Sequence, residues 1–489
     1  MLSALVAAAL ISRPDVATLR WLAPDSSRPG TYAEFRATQA SSPDWQVNLV
    51  NRSAARFTDR VDILVEANLV TPLRAELDTT LSDIAHEGYE VCLFSCSGGS
   101  AESLRAFLAA EYDSGLVAAV LVGDLPVAWF QLIDDWNNNH RRDPDEHYEE
   151  FPCDLYFMDI DGEWTDSLHR PGVLDTLVPG ADGIYDLHSG GIVPEIGVSR
   201  LPTSVLGNEP ALLSEYLVRA HAYRTGSLSV LDRALVYIDD DWYTNAWYWD
   251  QDVSQLYPDR VSIWDKETTR IADYRPRIDS APFQWVQLCS HSWPGGHAMY
   301  YSNRDSTDWL YATEIPGMTI EACFYNLFAC SNVRFTEVNC GGRYVFNTAY
   351  GLGAIGSAKT GSMLEFGDYY WPLSQGEPLA LAFRDWFSAQ MADGLEDWER
   401  SWYYGMCHLG DGLLKPRWTV GIASRLSSPT ARSRLPSVVR AGIALTLPAG
   451  SLVFDQTGRR LDPAGSSLAP GLYFVRSSSA LPRRLIVLP

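Results

Sequence analysis

The chain has 489 residues, of which 46% are hydrophobic and 20% charged, and its formal net charge is −23. A chain of this length usually folds into two or three domains with large buried cores. Its acidity argues against nucleic acid or an anionic membrane surface as a partner, because phosphates are bound by clustered Lys and Arg. No stretch reaches the roughly 20 apolar residues of a membrane helix, so we expect no membrane span.

The chain starts with an apolar run, LSALVAAALI at 2–11, of the length typical of an export signal. No basic residue precedes the run and no clear small-residue cleavage site follows it, so a buried N-terminal helix or strand is the alternative. We interpret residues 1–58 as an export signal and a pro-segment that could cover the active site.

Strands and helices alternate from residue 59 to residue 225. Apolar runs predict strands at 60–70, 90–96 and 116–124, and amphipathic patterns predict helices at 73–89 and 100–115. This alternation predicts an α/β fold with a parallel sheet and helices on both faces. Active sites in such sheets lie at the carboxyl ends of the strands.

A second α/β subdomain is predicted at 226–420, after a helix at 209–226. Its predicted strands end in polar residues. The expected strands lie at 234–238, 283–291, 326–330 and 351–358. We therefore expect Asp239–Asp241, His291 and Cys330 to converge on one edge of the sheet.

The last part of the chain differs in composition. Residues 421–444 are rich in Ser, Pro and Arg and predict a linker, and 445–489 show short alternating strands typical of a small all-β module. From Arg425 to the end there are nine Arg, no Lys and two Asp, so this part is basic.

Two imidazoles lie six residues apart in CSHSWPGGH at 289–297. The intervening Pro and Gly prevent His291 and His297 from lying one helical turn apart, as the histidines of HExxH zinc enzymes do. The spacing thus argues against a zinc site of this kind. A metal-dependent hydrolase is an alternative function that requires bound zinc, and metal analysis would test it.

A thiol and an imidazole at neighbouring strand ends suggest nucleophilic catalysis. A free Cys has a pKa of about 8.5 and needs a nearby imidazole to form the thiolate near neutral pH. His291 is the natural base for Cys330, His297 is the rival base, and two buried polar strand ends are the alternative. Cys323 and Cys340 are expected only to pack.

Seven blocks of the sequence carry a family resemblance when they are taken in order. The blocks are VAAVLVGDLPVAW (117–129), CDLYFMDIDGEW (153–164), VPEIGVSRLPTS (193–204), LCSHS (288–292), FACSN (328–332), GLGAIGSA (351–358) and HLGDGLLKP (408–416). Together they resemble the gingipain family of caspase-like cysteine peptidases, and the resemblance covers roughly residues 60–420.

The resemblance implies a caspase-like α/β fold and a secreted cysteine endopeptidase that acts on proteins or peptides. It implies that Cys330 is the nucleophile, His291 the general base and acid, and Glu195 the carboxylate that orients the histidine. Backbone N–H groups at Cys330 and beside the histidine would form the oxyanion hole. The family usually has Gly after the histidine, whereas this chain has Ser292, which resists a positive φ.

Calcium is frequent in the family, which implies a structural site through Asp159, Asp161, Asp182 and Asp186. An EF-hand starting at Asp159 is excluded, because its twelfth position is Arg170 rather than Glu. The alternative is a pair of solvated turns.

The C-terminal segment resembles the sorting module of the bacterial type IX secretion route through FDQTGRRL, LAPGLYFVR and RRLIVLP. This resemblance implies the type IX machinery as a partner and a secreted or cell-surface location. The alternative function is a catalytically silent, exported binding or adhesion protein. The P1 preference is not fixed by the sequence, although an acidic pocket from Asp239–Asp241 would select Arg or Lys.

Overall fold

The structure is a computed structural model that divides into two compact units, residues 1–418 and 419–489. The predicted export signal at 2–11 and most of the predicted linker lie outside the described residues. The structure describes residues 16–25, 27–39, 44–54, 57–172, 175–266, 268–301, 304–392 and 394–416, and strand backbone at 438–440, 452–455, 460–461, 471–476 and 483–488.

The first unit combines strands and helices. Its strands are β1 (Gln46–Arg52), β2 (Arg60–Glu66), β3 (Glu90–Ser97), β4 (Leu116–Val122), β5 (Trp129–Ile133), β6 (Tyr148–Pro152), β7 (Glu163–Thr165), β8 (Leu168–His169), β9 (Val178–Pro179), β10 (Leu187–Ser189), β11 (Gly197–Leu201), β12 (Ala234–Ile238), β13 (Arg260–Ile263), β14 (Phe283–Cys289), β15 (His291–Trp293), β16 (Gly296–Tyr301), β17 (Ser306–Tyr311), β18 (Ala322–Phe328), β19 (Gly353–Ser357) and β20 (Met406–Gly410). Its helices are α1 (Tyr32–Thr38), α2 (Ala67–Val70), α3 (Arg74–His86), α4 (Ala101–Tyr112), α5 (Leu155–Met158), α6 (Glu209–Arg224), α7 (Tyr243–Ser254), α8 (Ile271–Ser280), α9 (Cys340–Phe346), α10 (Phe366–Ser374), α11 (Leu379–Met391) and α12 (Asp397–Tyr403), with short 3-10 turns at Ser204–Leu206, Asp240–Trp242 and Ile315–Gly317.

One sheet of 11 strands runs through the first unit in the order β1-β3-β2-β4-β11-β20-β19-β18-β14-β12-β13. Neighbouring strands are parallel except at β1–β3 and β19–β20. All seven residues of β14 are buried. Because successive residues of a strand point to opposite faces, both faces of the sheet are covered at β14. The expected α/β fold with a largely parallel sheet is thus confirmed.

The antiparallel pair β19–β20 reverses the strand direction near the middle of this sheet. The strands from β3 to β20 run one way, and those from β19 to β13 run the other way. The carboxyl ends of β12, β14, β18 and β19 therefore share one edge. The two subdomains predicted at 59–225 and 226–420 contribute to this single sheet rather than to two separate ones.

Local sequence signals explain several element ends. Ser100 caps α4 by accepting a hydrogen bond from the N–H of Ser103 (3.4 Å). Gly115, which follows this helix, has φ = 98°, a conformation that glycine adopts without strain. The strand predicted at 60–70 ends at Glu66, and α2 follows it directly.

The described residues of the second unit form a five-stranded sheet in the order β21-β25-β24-β22-β23. The first of its strands lies inside the predicted linker 421–444. The strands are β21 (Val438–Arg440), β22 (Leu452–Asp455), β23 (Arg460–Leu461), β24 (Gly471–Arg476) and β25 (Arg483–Leu488). Among the residues that the structure describes, no helix is both long and apolar enough to cross a bilayer.

Candidate active site

His291 lies directly beyond the carboxyl end of β14, as the sequence predicted, and is fully buried. Its Nε2 is 2.8 Å from Oδ2 of Asp241, which follows the neighbouring strand β12. Its Nδ1 accepts a hydrogen bond from the backbone N–H of Arg20 at 3.0 Å. Each ring nitrogen therefore has one partner.

These partners fix the tautomer of His291. An imidazole nitrogen that accepts an N–H bond carries no proton, so the single proton of the neutral ring is on Nε2 and is donated to Asp241. Burial lowers the pKa of His291, although the hydrogen bond and charge of Asp241 oppose this shift. In this arrangement only the Nδ1 lone pair could take up a proton.

Asp241 is held from its other side by Arg304, whose Nε donates to Oδ1 at 2.6 Å. Burial raises the pKa of Asp241, but its hydrogen bonds and charge interactions with His291 and Arg304 outweigh burial and leave that pKa below its ordinary value. Asp241 is therefore an ionised partner of the histidine. The sequence placed it on this edge without assigning it that role.

Cys330 and His291 occupy equivalent positions beyond two paired strands. Cys289 lies opposite Phe328 in the parallel pair β14–β18, and the N–H of Ser290 continues the pairing to the carbonyl of Phe328 at 3.1 Å. The hydroxyl of Ser292 donates to the carbonyl of Cys330. The backbone thus brings the predicted dyad to neighbouring positions on one edge.

The Cys330 thiol is fully buried, and its interaction partners are Glu149, Lys359, Thr360 and Gly361. Burial raises its pKa well above the ordinary value, and the Glu149 carboxylate adds to the rise. Within the described part of the chain, no hydrogen bond joins its Sγ to His291. The structure therefore describes a protonated thiol that is not engaged with the base.

Lys359 holds the chain segment that contacts Cys330. Its buried Nζ donates to Oδ1 of Asp134 at 2.9 Å and to the carbonyl of Ser401 at 2.7 Å, and lies 2.9 Å from Oε2 of Glu149. The N–H of Ser331, which has φ = 51°, donates to the carbonyl of Lys359 at 2.9 Å. A left-handed residue therefore directly follows Cys330, whereas Ser292 is part of the strand β15.

His297, the rival base, lies in β16 and is fully buried. Its ring stacks on Tyr344 with centroids 5.8 Å apart, and its Nε2 has no hydrogen-bond partner among the residues that the structure describes. Burial lowers the pKa of His297 to about 3. A side chain on Gly296 would collide with the Trp293 ring, so the glycine lets the β15–β16 turn close tightly.

Glu195 does not contact His291, which corrects its expected orienting role. Its Oε2 accepts a hydrogen bond from the N–H of Ile160 at 2.6 Å, and burial raises its pKa to about 7. A carboxylate oxygen of Glu195 lies within 4.8 Å of those of Asp159 and Asp161. The carboxylate that orients the histidine is Asp241 instead.

The four aspartates expected to bind calcium do not form one group. Asp159 and Asp161 cluster with Glu195, and the Asp159 oxygens are engaged by the N–H of Gly162 (2.7 Å) and by His188. The other two aspartates accept separate sets of hydrogen bonds. Oδ1 of Asp182 accepts from Ile184 N–H at 3.1 Å, and Oδ2 of Asp186 accepts from the N–H groups of Ser167 and Leu168, both at 2.7 Å.

Residues 16–22, which we name the N-terminal segment, lie against the candidate site. Trp21 forms a parallel β-bridge with Ser292, and Leu19 is buried. Two indole N–H groups hold the segment by its backbone. Nε1 of Trp242 donates to the carbonyl of Ala17 at 2.8 Å, and Nε1 of Trp309 donates to that of Leu22 at 3.1 Å.

A cavity of about 280 Å³ lies beside the Asp241 carboxylate. It contains two acidic and two basic side chains, so the purely acidic pocket considered from the sequence is not what these residues form. The lining residues are Asp240, Asp241, Tyr243, Thr244, Lys266 and Arg304.

No family model matches the chain, and no curated protein matches it in sequence. What the protein does therefore has to be inferred from its own residues.

Proposed function

We propose that the protein is a secreted cysteine endopeptidase of caspase-like fold, held inactive by its N-terminal segment. The observation that carries the proposal is the imidazole of His291, which is oriented by Asp241 and lies beside the strand that ends at Cys330. A carboxylate-oriented imidazole next to a thiol-bearing strand end is the arrangement that activates a cysteine nucleophile.

The proposed reaction is acyl transfer. The Cys330 thiol gives its proton to Nδ1 of His291, and the sulfur attacks the carbonyl carbon to form a tetrahedral intermediate held by backbone N–H groups. The C–N bond breaks as Nδ1 returns the proton to the leaving amine, which leaves a thioester. Water then hydrolyses the thioester to a carboxylic acid and restores the thiol.

The hydrogen bond from Arg20 explains why the described state would be inactive. Nδ1 of His291 cannot take a proton while its lone pair accepts the Arg20 N–H. The segment also approaches as an extended chain held by its backbone, as a peptide substrate would be. Activity therefore requires release of the segment and rotation of the Cys330 side chain towards His291.

Profiling against a peptide library tests this proposal. We expect the protein, once limited proteolysis or its own action has removed the segment, to cleave library peptides and to lose this activity with a thiol-blocking reagent. Cleavage that survives the reagent but stops with a chelator would contradict a cysteine mechanism.

The buried thiol favours a second candidate, a catalytically silent binding or adhesion protein that kept the fold. It predicts that no library peptide is cleaved even after the segment is released. It also predicts that an extended peptide still binds at the strand edge beside Ser292, which the fluorescence anisotropy of a labelled peptide would report.

Asp241→Asn should reduce kcat by roughly 10²- to 10⁴-fold through loss of histidine orientation. Because Asp241 raises the pKa of His291, its loss should move the acidic limb of the pH–rate profile to lower pH. The measurement uses the Arg20→Pro background, in which the covering amide is absent. Asp240→Asn is the matched control. If both variants lost the same activity and neither moved the acidic limb of the pH–rate profile, Asp241 would not orient the histidine.

The C-terminal unit is proposed to be a sorting module for the type IX secretion route, which would place the peptidase outside the cell or on its surface. The proposal rests on the motifs FDQTGRRL and LAPGLYFVR. Deleting residues 445–489 should block export in a host with this route while leaving peptidase activity in the cell lysate. Normal export of the shortened chain would refute the assignment.

A further inference from the structure

Two neighbouring carboxylates, Asp239 and Asp240, each have one oxygen without a hydrogen-bond partner among the described residues. Asp239 is fully buried; its Oδ1 accepts from the N–H of Asp241 at 3.1 Å, but its Oδ2 has no hydrogen-bond partner within the described part of the chain. Oδ1 of Asp240 also has none, and the two side chains lie within hydrogen-bond reach of each other. A buried anionic oxygen without a donor is costly unless a proton or a cation compensates it.

We propose that Asp239, Asp241 and His291 form a binding site for a divalent transition-metal cation, with Zn²⁺ as the ion that fits best. Each residue offers one ligand atom, and these three atoms lie within 4.8 Å of one another. One imidazole nitrogen and two carboxylate oxygens suit Zn²⁺, whereas Ca²⁺ and Mg²⁺ prefer oxygen ligands only.

The position of the proton on His291 makes cation binding and docking of the N-terminal segment mutually exclusive. Nε2 can bind a cation only after its proton has gone, and the neutral ring then carries its proton on Nδ1. A protonated Nδ1 cannot accept the N–H of Arg20. Cation binding and docking of the segment therefore oppose each other, and each weakens the other by the same factor.

The charged side chains around the site determine the route by which a cation enters. Arg304 is bound to Asp241 but its side chain is half exposed, so it can swing into solvent when a cation takes its place. The cavity beside Asp241 opens this route. Lys266, which also lines the cavity, lies over the ring of Tyr243 with its Nζ 5.3 Å from the ring centre and opposes cation binding only through its charge.

If the proposed peptidase function holds, a bound cation inhibits it, because Nδ1 is already protonated and cannot take the proton of the Cys330 thiol. This consequence rests on that function, whereas cation binding itself does not. A binding measurement on the full-length chain therefore separates the two proposals.

The test is a titration with Co²⁺, a coloured substitute for Zn²⁺, followed by competition with Zn²⁺. Full-length Arg20→Pro lacks the competing N–H, and Arg20→Ala keeps it. We expect visible bands of four-coordinate Co²⁺ at one ion per chain, with binding roughly tenfold tighter in Arg20→Pro than in Arg20→Ala. Zn²⁺ should displace the Co²⁺.

Asp239→Asn in the Arg20→Pro background should weaken binding by roughly 10- to 100-fold or more. Its carboxamide can donate to Asp240, so the fold should be kept, which circular dichroism checks. Asp305→Asn removes the same charge from an exposed position next to Arg304 and should change little. Absent bands, binding unchanged by Asp239→Asn, or a sulfur-to-cobalt charge-transfer band that reveals a Cys330 ligand would each overturn the site.

Discussion

Cys330→Ala and His291→Ala should each abolish peptide hydrolysis, with kcat/KM falling by at least about 10³-fold in the Arg20→Pro background. Cys330 carries the thiol directly beyond the end of β18, and His291 carries the imidazole that Asp241 orients. Because the two side chains act as one unit, the double variant should lose little more than either single variant. The measurement is hydrolysis of a fluorogenic peptide chosen from the library.

His297→Phe and Cys323→Ala are the matched controls. His297 stacks on Tyr344 without an acidic partner, so a phenyl ring should replace its imidazole with little loss of activity. Cys323 is buried at position 2 of β18 and only packs. An inactive His297→Phe that folds normally, together with an active His291→Ala, would mean that the wrong imidazole had been assigned.

We expect Arg20→Pro to raise the activity of the full-length chain by roughly 10- to 100-fold. Proline has no N–H, so the bond to Nδ1 of His291 disappears and the backbone pairing of Trp21 is disturbed. Loss of one buried hydrogen bond weakens docking of the segment by about 1–3 kcal/mol, which shifts the population towards the uncovered site. The measurement compares initial rates of freshly purified proteins.

Arg20→Ala is the control for this prediction, because it removes the exposed side chain but keeps the N–H. It should stay close to the wild-type rate. Equal activation by both substitutions would assign the inhibition to the arginine side chain, and no activation by either would contradict inhibition by the N-terminal segment.

The sequence predicted those parts of the fold that depend on local patterns. Continuous apolar runs such as FQWVQLC identify buried strands, and their polar ends mark the edge where His291 and Cys330 meet. The reversal at β19–β20 was missed, because the direction in which GAIGS and MCHLG pair is decided by packing rather than by either segment.

The partners of His291 could not be predicted from local patterns. Asp241 reaches the ring because a 3-10 turn follows β12, and Arg20 reaches it across 271 residues of sequence. Glu195 was assigned by motif alone, but the nearer N–H of Ile160 binds it. The DDDW stretch directly after a buried strand was the available signal for the orienting carboxylate.

The central claim is that Cys330 and His291 form a cysteine-peptidase centre. Its most direct test is covalent labelling of the Arg20→Pro protein by a thiol-directed peptide inhibitor, with the modified residue located by peptide mass spectrometry. The account predicts one adduct per chain, on Cys330, that is lost in His291→Ala. An adduct on another cysteine, or none at all in a folded protein, would contradict it.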